Sequence, residues 1–156
     1  IDHVEELSLQ LVNNKIKINL TSETARREFL IAPVLMWLMN RTEAKVRVEY
    51  SLAVSDQLQG TLDYLVQSEQ NLLIVEAKNE DLERGFKQLA AELVAMDEWT
   101  ESSAPHIYGA VSIGNAWQFG VLERGRKHLS QDLNLYTIPD DLTDLLAILL
   151  GILHGQ

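Results

Sequence analysis

Hydrophobic and polar residues alternate with two different periods along the chain, and the two periods predict helices and strands. Apolar residues recur at helical spacing from about 22 to 40 and over 80–98, which predicts two amphipathic helices. The segment 139–154 opens with a proline and acidic residues and continues as a very apolar stretch, which predicts a C-terminal helix. A short helix over residues 2–13 is also expected.

Extended segments lie between these helices. Residues 45–54 alternate strictly, which predicts a strand with Val46, Val48, Tyr50, Leu52 and Val54 on one face. Segments 60–67 and 71–78 are predicted as the second and third strands, and 106–124 as two strands around a Gly114-Asn115 turn. The run 134–138 indicates a last short strand. This order predicts an α/β domain, a mixed β-sheet flanked by helices.

Charged residues interrupt two of the most apolar predicted strands. The run Leu72–Val75 is typical of a buried strand, yet Glu76 and Lys78 follow it with no turn residue between. Residues two apart share a strand face, so both charges continue the face of Leu72. In the preceding strand Asp63 is set among apolar residues. A hairpin around residues 67–70 would place Asp63 beside the charged end of the third strand.

Two carboxylates and a lysine at one sheet edge have a known chemical use. Carboxylate oxygens are preferred ligands of Mg²⁺, which keeps several waters. The metal lowers the pKa of a bound water and neutralises charge that develops on a phosphodiester. An adjacent ammonium group can stabilise the same charge. The pattern therefore predicts a Mg²⁺ (or Mn²⁺) site for phosphodiester hydrolysis.

The motifs that carry this pattern resemble the PD-(D/E)XK nuclease superfamily. "LD" at 62–63 and "VEAK" at 75–78 match its short motif, and "SETARREFLIAPVL" at 22–35 and "VSIGNAWQFGVL" at 111–122 resemble the N-terminal nuclease domains of type I restriction enzyme R subunits. The resemblance covers about residues 21–123. It implies a restriction endonuclease-like fold with an αβββαβ core, within a single domain of residues 1–156.

The resemblance also implies roles for individual residues. Asp63 and Glu76 would be metal ligands and part of the catalytic centre, the backbone carbonyl of Ala77 would complete the site, and Glu23 would help to hold the metal or its waters. Lys78 would be the catalytic lysine.

The resemblance also extends to the second predicted helix and to the residue before Asp63, where this chain departs in part from the family pattern. Gln88 falls where many members carry a glutamine, and the resemblance implies that it belongs to the catalytic centre. Related members have a tyrosine four residues later, whereas this chain has Glu92, and Leu62 stands where a proline usually precedes the aspartate.

Simpler interpretations remain open for these residues. Glu76 and Lys78 could form a surface salt bridge at a strand end. Glu23 could be a first-turn helix acid paired with Arg27, and Glu28 is a fallback carboxylate. Glu92 is expected on a solvated helix flank, beside Gln88.

Composition and charge limit the class of protein. The chain has 156 residues, 46% of them hydrophobic, and no cysteine, which fits one globular domain and excludes disulfides and thiolate metal sites. No run is long enough to span a bilayer, and we expect a cytoplasmic protein. The net charge of −10 disfavours general electrostatic binding of DNA.

The expected partner is nevertheless nucleic acid, most simply DNA. Because of the acidic charge, a homo-oligomer or a larger complex would have to contribute to binding. The alternative function is a non-catalytic module of the same fold that acts as a protein-interaction or nucleic-acid-sensing scaffold.

Overall fold

The computed structural model describes residues 1–155, so Gln156, the last residue of the predicted domain, lies outside the described residues. The helices are α1 (Val4–Lys17), α2 (Glu23–Arg26), α3 (Ala32–Met39), α4 (Leu82–Trp99) and α5 (Leu142–His154), and a π-helical turn (Arg27–Ile31) joins α2 to α3. The strands are β1 (Lys45–Ala53), β2 (Gln59–Gln67), β3 (Leu72–Ala77), β4 (His106–Ser112), β5 (Ala116–Glu123), β6 (His128–Gln131) and β7 (Tyr136–Thr137).

Within residues 1–155 the strands form one seven-stranded mixed sheet. Its order is β1-β2-β3-β4-β5-β6, and β7 pairs with the end of β5 that β6 leaves free. Neighbouring strands are antiparallel except β3 and β4, which are parallel. A parallel pair needs a crossover connection, and α4 supplies it. The prediction of a mixed α/β domain is confirmed.

Helices cover both faces of the sheet, and each face has its own hydrophobic core. One core joins α1, α3 and α5 to the sheet, for example through Leu11, Leu38 and Leu149. The other joins α4 to the opposite face. A large apolar side chain contributes about 1.5–3 kcal/mol when fully buried, so packing fixes the sheet. The apolar segment predicted at 139–154 covers the sheet as α5.

The strict alternation predicted for β1 is wrong at its centre. Val46 packs against the core of α1, α3 and α5, whereas Tyr50 and Leu52 pack against the core of α4. Glu49, between them, has a positive φ of 53°, a conformation uncommon outside glycine. The strand therefore changes the face that it buries at Glu49.

The sequence pattern does not predict strand β6. Its four residues are exposed or half-buried, so they give no hydrophobic signal, and the turn before it places Lys127 at φ 54°. In the part of the chain that the structure describes, no helix combines the length and the apolar character that crossing a bilayer requires.

Candidate functional site

The pairing of β2 with β3 brings Asp63 to Glu76. Tyr64 lies opposite Val75, so the next residue on each strand places Asp63 opposite Glu76. An Asp63 carboxylate oxygen, Oδ2, accepts a hydrogen bond of 2.8 Å from the amide N–H of Ala77. The carboxylate thus lies at the edge between the two strands, as the hairpin prediction required.

The backbone of β2 is irregular at the same residue. Leu62 packs in the core of α4 and Tyr64 in the core on the other face, although residues two apart in a regular strand share a face. The β1–β2 pairing joins Val48 to Tyr64 and Tyr50 to Leu62, and it skips the opposed Glu49 and Asp63. Such irregularities re-aim a side chain, here that of Asp63.

Glu76 is buried and bound by an amide from α4. Its residue exposure is 2%, and its Oε1 accepts a hydrogen bond of 2.8 Å from Nε2 of Gln88. Nζ of Lys78 donates to Oε1 of Gln88 at 2.6 Å and lies 3.8 Å from Oε1 of Glu76. The ion pair that the simpler interpretation expected is present, but its location at the surface is wrong, because the carboxyl group of Glu76 is buried. Gln88 joins both residues as one unit.

Gly85 makes room for the aliphatic stem of Lys78. A Cβ atom at Gly85 would lie 2.7 Å from Cγ of Lys78 and 2.7 Å from Cγ1 of Val111. Both distances are below van der Waals contact, so any side chain at this position of α4 would displace one of the two. A glycine that costs helix stability elsewhere here allows the lysine to reach Gln88.

Glu92 belongs to the same group of side chains, and its predicted position on a solvated flank is wrong. Burial raises the pKa of Glu92 and of Glu76. The neighbouring charge of Glu92 raises the pKa of Glu76 further. Because neighbouring buried carboxyl groups do not both ionise freely, the raised pKa values favour retention of a proton by this pair. We call Asp63, Glu76, Lys78, Gln88 and Glu92 the polar cluster.

Arg27, from the π-helical turn, lies on the other side of Asp63. Its Nη1 is 3.7 Å from Oδ1 of Asp63 and 3.6 Å from Oε1 of Glu49, and its guanidinium group lies 5.3 Å from the ring centroid of Tyr64. Sequence reasoning paired Arg27 with Glu23 and missed this contact. The sequence carries no clear signal for this contact, since the neighbouring Arg26 is also half-buried and donates to the carbonyl group of Ile113.

The structure leaves Glu23 apart from the polar cluster. Glu23 is exposed at the first position of α2, and within residues 1–155 no hydrogen bond or ion pair joins it to the cluster. Glu28 is also exposed. The metal role of Glu23 and the contribution of the Ala77 carbonyl stay predictions.

The donor set of the cluster fits a hard cation such as Mg²⁺. Among residues 1–155, no three His, Asp or Glu side chains are arranged so that together they could hold a metal ion. Mg²⁺, however, is commonly held by one or two carboxylates together with waters and substrate phosphates. Oε2 of Glu76 and Oε1 of Glu92 are buried without a hydrogen-bond donor from the described residues. Such oxygens call for either a shared proton or a cation.

Comparison with known proteins identifies no relative of this chain: no protein family, curated protein or solved structure matches it. What the polar cluster does therefore has to follow from its own geometry.

Proposed function

We propose that the domain is a Mg²⁺-dependent nuclease of restriction endonuclease-like fold that hydrolyses phosphodiester bonds, most simply those of DNA. The observation that carries the proposal is the connection of Glu76 to Lys78 through Gln88 beside Asp63. A buried carboxylate, a second carboxylate and an oriented ammonium group meet at one end of β3. The helix–three strands–helix–strand order of α2 to β4 agrees with the fold that the sequence motifs imply.

Asp63 and Glu76 would hold the metal. When bound, the metal activates a water and neutralises charge on the phosphoryl group. Asp63 is kept in place by the Ala77 amide and faces Arg27 through its other oxygen. Glu76 is kept in place by Gln88. Both carboxylates are thus pre-oriented, which lowers the cost of organising the site during the reaction.

Lys78 would stabilise the negative charge that develops on the phosphoryl oxygens. Its ammonium group is held by Oε1 of Gln88, and its aliphatic stem packs along Gly85. The group has three donors, and a hydrogen bond to one acceptor leaves the others for a phosphate. Removing a preorganised donor of this kind typically costs 10²–10³-fold in rate, about 2.7–4 kcal/mol.

Digestion of nucleic acids tests the proposal directly. Supercoiled plasmid, linear duplex and single-stranded oligonucleotides are incubated with the wild-type domain and Mg²⁺ or Mn²⁺. We expect cleavage of at least one DNA substrate, abolished by EDTA and reduced about a hundredfold or more in Lys78→Ala. Equal residual cleavage by wild type and Lys78→Ala would reveal a contaminating nuclease and contradict the assignment of Lys78.

The net charge of −10 favours a second candidate, a non-catalytic scaffold that binds a basic protein partner. The two functions differ in one respect. A scaffold would still bind its partner when Lys78 is replaced, whereas a nuclease would lose its cleavage activity. Lys78→Ala is therefore the variant that separates them.

A further inference from the structure

A pocket opens beside the polar cluster, between the β1–β2 hairpin and α4. Its volume is about 210 Å³, and its lining includes Gln88 and Glu92 together with Gly60 and Ala91. Two of these residues belong to the polar cluster, so a group in the pocket lies next to whatever the cluster binds. The larger cavity of about 610 Å³ lies between α1 and α3, and its lining shares no residue with the cluster.

The walls of this pocket are mainly neutral. The amides of Gln57, Gln59 and Gln88 and the hydroxyl of Thr61 supply hydrogen-bonding groups, and leucine and alanine side chains supply apolar surface. Among the lining residues only Glu92 is ionisable. Walls without a cationic side chain offer a phosphate no partner of opposite charge, while amides read the edges of uncharged bases.

The volume also limits the ligand. A cavity of about 210 Å³ has the volume that about seven water molecules occupy in the liquid. That is enough for one flat heterocycle and too little for a base pair. Because bases in a duplex are stacked and paired, a single base reaches such a pocket only from an unpaired or extruded nucleotide.

We propose that this pocket binds one unpaired nucleobase, that of the nucleotide next to the phosphodiester at the polar cluster. The inference rests on the proposed function for its biological meaning, because it makes the substrate a nucleic acid with an unstacked nucleotide at the cleavage position. Apolar walls and amide groups provide the binding, and Gln88 contacts both the pocket and the cluster. The pocket itself contributes no charge attraction, which agrees with the acidic balance of the chain.

Nucleosides test the pocket without relying on cleavage. Adenosine, guanosine, cytidine and thymidine are titrated separately into ¹⁵N-labelled metal-free protein, and the amide signals of Ala91, Gln57 and Gln88 are followed by NMR. We expect saturable shifts of these signals with at least one nucleoside. Ribose 5-phosphate, which has no base, should leave them unchanged.

A pair of variants on one helix gives the matched control. Ala91 is exposed and lines the pocket, whereas Val94, also exposed on α4, does not. Ala91→Trp should abolish the shifts and Val94→Trp should retain them. Gly60→Leu fills the pocket from the opposite wall, where a Cβ meets no atom within 4 Å, and it replaces Ala91→Trp if that variant does not fold.

Cleavage then links the pocket to the reaction. Ala91→Trp should bind Mn²⁺ as wild type does but cleave an oligonucleotide about tenfold more slowly, equivalent to about 1.4 kcal/mol. Absence of nucleoside shifts in the wild type, or shifts that persist in Ala91→Trp and Gly60→Leu, would overturn the base pocket. If the wild type binds metal and cleaves DNA, and the pocket variants cleave as fast as the wild type, the base pocket is overturned while the nuclease assignment stands.

Discussion

Glu76 places a carboxyl group where only 2% of the residue is exposed, and that burial determines much of the local chemistry. An uncompensated charge there would cost several kcal/mol. The side chain receives one hydrogen bond from Gln88, and the neighbouring Glu92 raises the pKa of Glu76 beyond the effect of burial. Without a cation, this arrangement favours the protonated form of Glu76, so the site is poised to exchange a proton for a positive ion.

We predict that the metal-free domain loses stability as the pH rises above the ordinary carboxyl pKa of 4.5, through the raised pKa values of Glu76 and Glu92. In that range the folded state keeps a proton that the unfolded state has released, so the free energy of unfolding falls with pH. The slope approaches about 1.4 kcal/mol per pH unit for each retained proton. Urea denaturation in EDTA from pH 4 to pH 9 measures it.

Glu76→Gln is the control for this pH dependence. Its amide is uncharged at every pH and can donate to Glu92 as the carboxyl proton does. The variant should match the wild type near pH 4 and be more stable at pH 8. Parallel stability curves for the two proteins across this range would show that the carboxyl pair does not share a proton.

We predict that Gly85→Ala impairs the reaction more than the fold. The new Cβ would lie 2.7 Å from Cγ of Lys78 and from Cγ1 of Val111, so it displaces the lysine stem from Gln88. The helix gains about 0.5–1 kcal/mol from alanine, which partly offsets overpacking of about 1–3 kcal/mol. Cleavage should fall at least tenfold while Mn²⁺ affinity stays within twofold.

Gly151→Ala is the matched control, because Gly151 lies within α5 and a Cβ there meets no atom within 4 Å. This variant should gain stability of about 0.5–1 kcal/mol and keep full activity. Unchanged cleavage by Gly85→Ala would mean that the position of Lys78 does not matter.

At the scale of elements, the sequence predicts the order of helices and strands because the periods of apolar residues differ between them. It does not predict where a strand changes the face it buries. Glu49 and Asp63 look like ordinary polar positions in β1 and β2, yet the pairing skips both. That irregularity depends on contacts with α4 on one face and α3 on the other, which are distant in sequence.

The sequence indicates the site residues that carry the motif, but it does not indicate those whose orientation is set by packing between helices and strands. Asp63, Glu76, Lys78 and Gln88 meet as expected. Glu92 was expected in solvent, but one helical turn after Gln88 it turns with that residue toward β3. Arg27 was missed because the π-helical turn shifts which residues of the helix face Asp63.

The C-terminal end of α4 depends on a buried ion pair. Asp97, whose side chain is 8% exposed, receives a hydrogen bond of 2.7 Å from Nε of Arg124, and Lys127 contacts its other oxygen. Nη1 of Arg124 also donates to the carbonyl groups of Ser102 and Ala104. Burial acts to raise the pKa of Asp97, but the bonds from Lys127 and Arg124 outweigh it and lower the pKa.

We predict that Arg124→Ala destabilises the domain by about 1–3 kcal/mol, because it leaves one oxygen of the buried Asp97 carboxylate and two carbonyl groups without donors, while Lys127 still contacts the other oxygen. Because the pKa of Asp97 is lowered, the ion pair stabilises the fold above the ordinary aspartate pKa, and that stability is lost as the pH falls through the lowered value. The effect of the substitution should therefore shrink as the pH falls below the ordinary aspartate pKa of 3.8. Urea denaturation at pH 7 and at low pH measures both.

Arg126→Ala is a suitable control, because the Arg126 side chain is 70% exposed and pairs with Glu123 at the surface. It should cost less than about 1 kcal/mol. If Arg124→Ala were as mild as Arg126→Ala, the ion pair at Asp97 would not secure the end of α4.

At the scale of the whole molecule, a net charge of −10 opposes long-range attraction of nucleic acid. We predict weak duplex binding in EDTA with a shallow dependence on salt, because few phosphate contacts release counterions. Mn²⁺ should strengthen binding of single-stranded DNA in Lys78→Ala, which retains the carboxylates. Fluorescence anisotropy at about 50 to 200 mM salt measures the duplex affinity with its salt dependence and the effect of Mn²⁺ on single-stranded DNA. Tight, steeply salt-dependent duplex binding in EDTA would contradict this account.

The most direct test of the central claim is a calorimetric titration of Mn²⁺ into the wild-type domain, Asp63→Asn and Glu76→Gln. Manganese binds carboxylate sites and needs no substrate. We predict saturable binding in the wild type that is lost in both variants, with melting curves showing that each is folded. Equal heats in all three proteins, or none in any, would contradict a metal centre at the end of β3.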